Sequence, residues 1–156
     1  MKDTTGLKEY YEKNKNNYMW SERLEAKIYS CANADVAKQT RTLMKTIDDD
    51  DTLMARVNKS SALNLTVKYG KFVKGENDII DSIAWSVGMT NDFKKNDQVV
   101  FVNMMKKLAP QPKSLEEARG LITADYQAYL EKEWIEQLRK KYSVAIHQDV
   151  VDSMIK

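Results

Sequence analysis

Two residue types that often carry chemistry occur once each in this chain of 156 residues, as Cys31 and His147. A single cysteine excludes an internal disulfide and any cysteine cluster for a metal, and a single histidine excludes mechanisms that need two imidazoles. The acidic run at residues 48–51 lacks the glycine and the later glutamate of a calcium loop, so it is interpreted as a solvated helix start or a loop. We therefore expect no metal and no cofactor.

Charge and hydropathy exclude two further classes of protein. The chain carries 25 basic and 23 acidic residues, a net charge of +2, and the two signs are interspersed along the sequence. A nucleic-acid-binding surface needs a concentrated basic patch, so we expect no nucleic-acid partner. No apolar stretch reaches membrane-spanning length and the first residues do not resemble a signal peptide, so we expect no membrane insertion.

The elements that must position any site are organised around residues 97–119, DQVVFVNMMKKLAPQPKSLEEAR. The β-branched and aromatic residues at 99–102 predict a buried strand. Pro110 and Pro112 predict that the chain leaves the sheet after this strand, because proline cannot donate a ladder hydrogen bond. Ser114 lies three residues before a glutamate, which is the spacing of a capping box and predicts the start of a helix.

Hydrophobic periodicity predicts the remaining elements. Helices are predicted at residues 7–20, 33–47, 50–58 and 78–85, strands at 23–31 and 63–67, an extended piece at 142–146 and a helical turn or two at 149–155. The strand at 23–31 is expected to have one solvated face that carries Glu25, Lys27 and Tyr29. Glycines predict tight turns at 69–72 and 74–77. The order of elements predicts an α+β fold, with helices around a small, mostly antiparallel sheet.

The helix that follows Ser114 carries a long apolar stripe. Its members recur every four residues: Ile122, Tyr126, Leu130, Trp134 and Leu138. An unbroken helix to residue 141 would be about 40 Å long, which exceeds what a small sheet can cover. We expect it to pack on the N-terminal helix or on another chain, which leaves open a homo-oligomer through residues 122–138.

Four segments stand in an order that a known family shares. They are LKEYYEKNKNNYMWSERLEAKIYSC, YGKFVKGEN, IIDSIAWSVGMTNDF and DQVVFVNMMKKLAPQPKSLEEAR, and they reach from residue 7 to residue 119. In this order they resemble a divergent parvulin-type peptidyl-prolyl cis-trans isomerase domain, as found in SurA-type bacterial periplasmic folding chaperones. The resemblance implies an FKBP-like sheet with surrounding helices. It also implies a lead-in at residues 1–20, a parvulin-like domain at 21–110, and a long helix and tail at 111–156.

The resemblance also implies a shallow apolar groove that receives proline-containing peptides. The family places two histidines on adjacent central strands under this groove, and the matching positions here hold Ile28 and Val100, so no catalytic residue is identifiable. The groove's other apolar positions correspond to Phe72, Ile80 and Trp85. These five residues are the peptide-binding candidates, although all are also of the types that usually pack a protein core.

The leading hypothesis for function follows from this resemblance. It is a parvulin-like domain that binds unfolded or outer-membrane proteins in the periplasm or cell envelope, with prolyl isomerisation weak or lost. An active isomerase stays open, because an apolar groove could desolvate a prolyl bond without histidines. A structural or dimerisation module also stays open. Because the family is exported and no signal peptide is present, the chain is expected to be a fragment of a longer protein.

Overall fold

An antiparallel sheet organises the middle of the chain, which the computed structural model describes over residues 3–142 and 147–154. The strands are β1 (Met19–Trp20), β2 (Arg23–Cys31), β3 (Leu65–Val73), β4 (Gly88–Met89), β5 (Phe93–Lys95), β6 (Gln98–Leu108) and β7 (Gln111–Pro112). Five of them form the main sheet in the order β3-β2-β6-β4, with β5 also paired to β6. All its pairings are antiparallel, which confirms the predicted architecture.

Helices precede, interrupt and follow this sheet along the sequence. They are α1 (Thr4–Asn14), α2 (Ala34–Leu43), α3 (Asp50–Val57), α4 (Asp78–Asp81), α5 (Arg119–Lys141) and α6 (Gln148–Met154). The predicted α+β fold with a long C-terminal helix is therefore confirmed. Over its 23 residues α5 is about 34 Å long. In the described residues, no helix has the length and apolar character needed to cross a membrane.

The chain forms two compact units. One unit is the continuous stretch Trp20–Gln111, which contains the main sheet. Its sheet buries an apolar cluster on each face. The first face cluster comprises Leu24, Ala26, Ile28, Phe72, Ile80, Val100, Val102 and Met104. The second face cluster comprises Tyr29, Cys31, Ala37, Leu53, Val57, Leu65, Val99 and Phe101, and includes residues of α2 and α3.

The second face cluster shows that the prediction of a solvated face on β2 was wrong. Tyr29 is 2% exposed and stacks on Phe101 with ring centroids 4.9 Å apart. Its hydroxyl donates a hydrogen bond of 3.2 Å to the carboxylate of Asp50, which begins α3. Lys27 keeps its charge at the edge by pairing with the same carboxylate. The face is covered because α2 and α3, the two helices that follow β2 in sequence, pack on it.

Two other local predictions were also wrong. Gly70 lies inside β3 rather than in a turn, because β3 pairs with β2 along all nine residues and this ladder outweighs the local turn preference. The predicted helix at residues 78–85 is reduced to α4, Asp78–Asp81. The turn expected around Gly75 is confirmed, with φ of +94°.

The other unit combines the two ends of the chain, Met1–Met19 and Pro112–Lys156. Helix α1 ends at Asn14 and continues as a short 3-10 turn, so the helix predicted to residue 20 was too long. The core of this unit comprises Leu7, Tyr18, Ala118, Ile122 and Tyr126. Ser114 and Glu117 exchange the two bonds of a capping box, although regular helix begins only at Arg119. The extended piece predicted at 142–146 lies almost wholly outside the described residues.

Candidate functional site

The two strand positions that the sequence singled out lie side by side in the sheet. Ile28 is on β2 and pairs with Val102 of β6, and Val100 stands two residues further along the same strand. Because side chains alternate between the faces of a sheet, Val100 and Val102 point to the same side as Ile28. Both candidate positions therefore belong to the first face cluster.

The other three candidates join the same cluster from separate elements. Phe72 comes from β3, Ile80 from α4, and Trp85 from the loop that follows α4. Four of the five side chains are buried: Ile28, Phe72, Ile80 and Val100 are 3%, 7%, 0% and 1% exposed. Only Trp85 keeps partial exposure. The structure thus brings all five together as packed core, with Trp85 at its margin.

A short capped turn holds Trp85 in place. The side chain of Asn77 accepts hydrogen bonds from the backbone N–H groups of Ile79 and Ile80, which fixes the start of α4. The indole N–H of Trp85 donates a hydrogen bond of 3.1 Å to the backbone carbonyl of Ile80. The indole N–H therefore has a hydrogen-bond acceptor. This bond ties the ring to α4, whose start Asn77 caps.

An open cleft of about 500 Å³ lies beside this indole. It is lined by Ser21, Glu22, Val73, Lys74, Ile83, Ala84 and Trp85, and is called the Trp85 cleft below. Four of the lining residues are apolar, and two, Glu22 and Lys74, are charged. The carboxylate of Glu22 is paired with the ammonium of Lys107 at 3.3 Å. Such a cleft can accept an apolar side chain with a polar group beside it.

Most residues of the Trp85 cleft were missed by sequence reasoning. The antiparallel register places Arg23 opposite Val73, which brings residues 21–22 to the end of β3. Residues 83–85 reach the same place only because α4 folds back onto the first face cluster. No local pattern marks these three segments as neighbours, so only the long-range pairing of β2 with β3 reveals the cleft.

The cysteine and the histidine both lie away from this site. Cys31 is on the other face of the sheet, where burial raises the pKa of its thiol, and its sulfur lies 3.9 Å from the hydroxyl of Thr40. A protonated thiol in such a setting is a poor nucleophile. His147 is exposed in the unit formed by the chain ends. Among the described residues, no group of three or more metal-ligating side chains could hold an ion.

Comparison with known proteins gives a structural likeness. No protein-family model matches the chain, and no curated protein matches it. The chain is similar to a solved chain from work on PEB4 and Cj1289, described as two structurally related SurA-like chaperones of Campylobacter jejuni. The identity is 17%, the TM-score is 0.34, and the match covers 94% of this chain. The match spans 64% of the other chain. The identity and the TM-score are both too low to assign a family.

Proposed function

We propose that this chain contains a divergent parvulin-like domain that acts as a chaperone or peptide-binding module, with prolyl isomerisation weak or lost. The domain occupies residues 21–110, and its clients are unfolded or proline-containing polypeptides, outer-membrane proteins among them. The setting is the periplasm or cell envelope, as part of a SurA-type folding chaperone. Four segments in the order of that family support this assignment.

One observation carries the loss of catalysis. Ile28 and Val100 lie on one face of adjacent strands, at the positions where the parvulin resemblance places its histidines, and both are packed in an apolar cluster. Isomerisation of a prolyl bond faces a barrier of about 18–20 kcal/mol. An aliphatic pair supplies no proton donor or acceptor to the twisted amide, so the polar contribution to catalysis is absent there.

The Trp85 cleft is the place where this module binds an apolar or aromatic side chain. Of the five candidates, Trp85 is the one that a peptide can reach without rearrangement of the core, since the other four are buried. Burial of one large apolar side chain contributes about 1.5–3 kcal/mol, which suits weak and reversible binding of many sequences. Low affinity for each segment is what a folding chaperone requires, because its clients must leave.

A protease-coupled isomerisation assay on short X-Pro peptides tests the loss of catalysis. We expect the cis-to-trans rate with the protein present to equal the uncatalysed rate. Catalysis that Trp85→Ala abolishes would contradict the proposal and establish an active isomerase instead.

A light-scattering assay of an aggregating client tests the binding function. We expect the protein to delay aggregation, and Trp85→Ala to remove most of this effect. Trp134→Ala is the matched control, because Trp134 is 61% exposed on α5 and outside the cleft. Equal suppression by wild type and Trp85→Ala, with loss in Trp134→Ala, would move the binding site to α5.

A second candidate function is self-association through α5, which an exposed apolar surface favours. Within residues 122–138, Ile122 and Tyr126 are buried in their own unit, so a partner could contact only the later part of the stripe. Leu130, Trp134 and Ile135 are 39%, 61% and 37% exposed. Analytical ultracentrifugation tests this role: a concentration-dependent dimer that Trp134→Ala dissociates would support it, and a monomer at high concentration would count against it.

A further inference from the structure

A second open groove lies on the other side of the sheet from the first face cluster. It measures about 710 Å³ and is lined by Ala34, Lys38, Arg41, Thr42, Met44, Lys45, Met89 and Asp92. One wall is α2 with the turn after it, and the other is the segment around β4. We call it the basic groove. Its size falls within the range of about 300–1,000 Å³ that ligand-binding sites occupy.

Arg41 fixes the two walls relative to one another. Its guanidinium donates a hydrogen bond of 2.6 Å to the backbone carbonyl of Thr90 and pairs with the carboxylate of Asp92. The same guanidinium lies 4.1 Å from the ring centroid of Phe101, in the second face cluster. With its charge paired and its plane stacked, Arg41 makes the groove a preformed feature of the fold.

Positive charge remains in the groove after this pairing. Three cationic side chains and one carboxylate line it, so its net charge is 3 minus 1, or +2. Lys38 and Lys45 are both exposed, and neither forms an ion pair within the described part of the chain. The two ammonium groups are therefore free to meet the carboxylates of a ligand.

Apart from Thr42, the uncharged residues that line the groove are apolar. Met44 is partly buried, Met89 is 42% exposed, and Ala34 completes this surface. Methionine adapts to side chains of different shape, and surfaces that bind many peptides use it for this reason. Among the described residues that line the groove, none has an aromatic ring on which a base could stack. These features favour a peptide over a nucleic acid.

We infer that the basic groove binds an extended polypeptide segment in which acidic and apolar residues alternate. The acidic side chains meet Lys38 and Lys45, and the apolar ones lie against Met44 and Met89. Because Arg41 packs on the second face cluster and Trp85 on the first, the basic groove and the Trp85 cleft lie off opposite faces. The groove is independent of the proposed chaperone function, and the two sites can be occupied together.

Methyl NMR of the full chain with ¹³C-labelled methionine tests this site. The probe is a capped peptide of alternating Glu and Leu, and its control is the same peptide with Gln for every Glu. We expect the Glu peptide to shift the signals of Met44 and Met89 and to leave that of Met104, which is 5% exposed in the first face cluster, unchanged. Equal shifts with the Gln peptide, or shifts at other methionines alone, would overturn the inference.

A charge-neutralised variant provides the second test. Lys38→Gln with Lys45→Gln should weaken binding of the Glu peptide about fivefold, since each exposed ion pair contributes little. The matched control is Lys68→Gln with Lys71→Gln, which removes the same charge from exposed positions of β3. Equal weakening in both variants would show general charge attraction and overturn the site.

Competition with a single-stranded oligonucleotide distinguishes the two classes of anionic polymer. We expect it to leave the Met44 and Met89 signals in place at concentrations where the Glu peptide shifts them. Shifts of these signals by the oligonucleotide at lower concentration than by the peptide would assign the groove to nucleic acid.

Discussion

The hydroxyl of Tyr126 donates a hydrogen bond of 2.8 Å to the carboxylate of Asp3, which precedes it by 123 residues. The same carboxylate caps α1 by accepting a hydrogen bond of 2.8 Å from the backbone N–H of Gly6. One side chain thus joins the start of α1 to the buried side of α5. These hydrogen bonds lower the pKa of Asp3 below 3.8, with that from Gly6 the larger cause, and the bond to Asp3 raises the pKa of Tyr126 above 10.0.

The stability of the unit formed by the chain ends should therefore depend on pH in two ranges. The lowered pKa of Asp3 means that its contribution is present above pH 3.8 and is lost as pH falls through the folded value. The raised pKa of Tyr126 means that its contribution is present below pH 10.0 and is lost as pH rises through its folded value.

Tyr126→Phe should reduce both effects and return the pKa of Asp3 towards 3.8. NMR titration of the Asp3 carboxyl carbon measures this, and Tyr129→Phe, at an exposed neighbouring ring, should leave it unchanged.

The hairpin between β5 and β6 should be improved by a glycine. Asn96 and Asp97 have φ of 49° and 62°, and they form the two-residue link between Lys95 and Gln98. A type I′ turn requires positive φ at both positions and favours glycine at the second. We expect Asp97→Gly to raise the free energy of unfolding by about 0.5 kcal/mol, and Asn96→Ala to lower it by about 1 kcal/mol. Urea denaturation measures both, and a loss of stability in Asp97→Gly would contradict the turn assignment.

Two glycines should respond in opposite directions to alanine. A Cβ at Gly70 would lie 2.9 Å from the ring of Phe72, which is 7% exposed, so Gly70→Ala should lower the free energy of unfolding by about 1–2 kcal/mol. A Cβ at Gly120 meets nothing within 4 Å on α5, so Gly120→Ala should raise it by about 0.5 kcal/mol. Thermal unfolding followed by circular dichroism compares them. Destabilisation by both variants would show that the packing around Gly70 is not the cause.

Histidines at positions 28 and 100, where the parvulin resemblance implies them, should not create an isomerase. Ile28 and Val100 are buried among apolar side chains, where an imidazole finds no partner, so Ile28→His with Val100→His should cost at least about 2 kcal/mol. The conservative pair Ile28→Val with Val100→Ile should cost less than about 1.5 kcal/mol. Urea denaturation gives both values, and the X-Pro peptide assay measures activity. A double histidine variant that is both stable and catalytic would contradict this prediction.

Elements with strong local signals were predictable from the sequence. The strand at 23–31 coincides with β2, Arg23–Cys31, because alternation of apolar and polar residues specifies extended backbone from local residues alone. The helix at 50–58 nearly coincides with α3, because Asp49 caps its first turn by accepting a hydrogen bond from the backbone N–H of Thr52. In both cases the deciding interactions span only a few residues.

Features that depend on distant contacts were not predictable in this way. The sequence indicated Tyr29 as solvated, because nothing near it shows that α2 and α3 cover that face. It selected Trp85 for the site by resemblance, yet could not show that Ser21 and Lys74 would meet beside it. Nor did it reveal the basic groove, since Arg41 and Thr90, whose hydrogen bond links its two walls, are 49 residues apart in sequence.

The pairing of β1 with β7 has a consequence for how this fold can be handled as a building block. These strands contain the first and last residues of the unit Trp20–Gln111, and they are hydrogen-bonded neighbours. Adjacent strands lie about 4.8 Å apart, so the chain enters this unit and leaves it at nearly the same place. A stretch with coincident ends can be cut out, rejoined in a new order or inserted into a loop of another protein with little strain. Residues 20–111 thus meet the geometric requirement for circular permutation and for insertion into another protein.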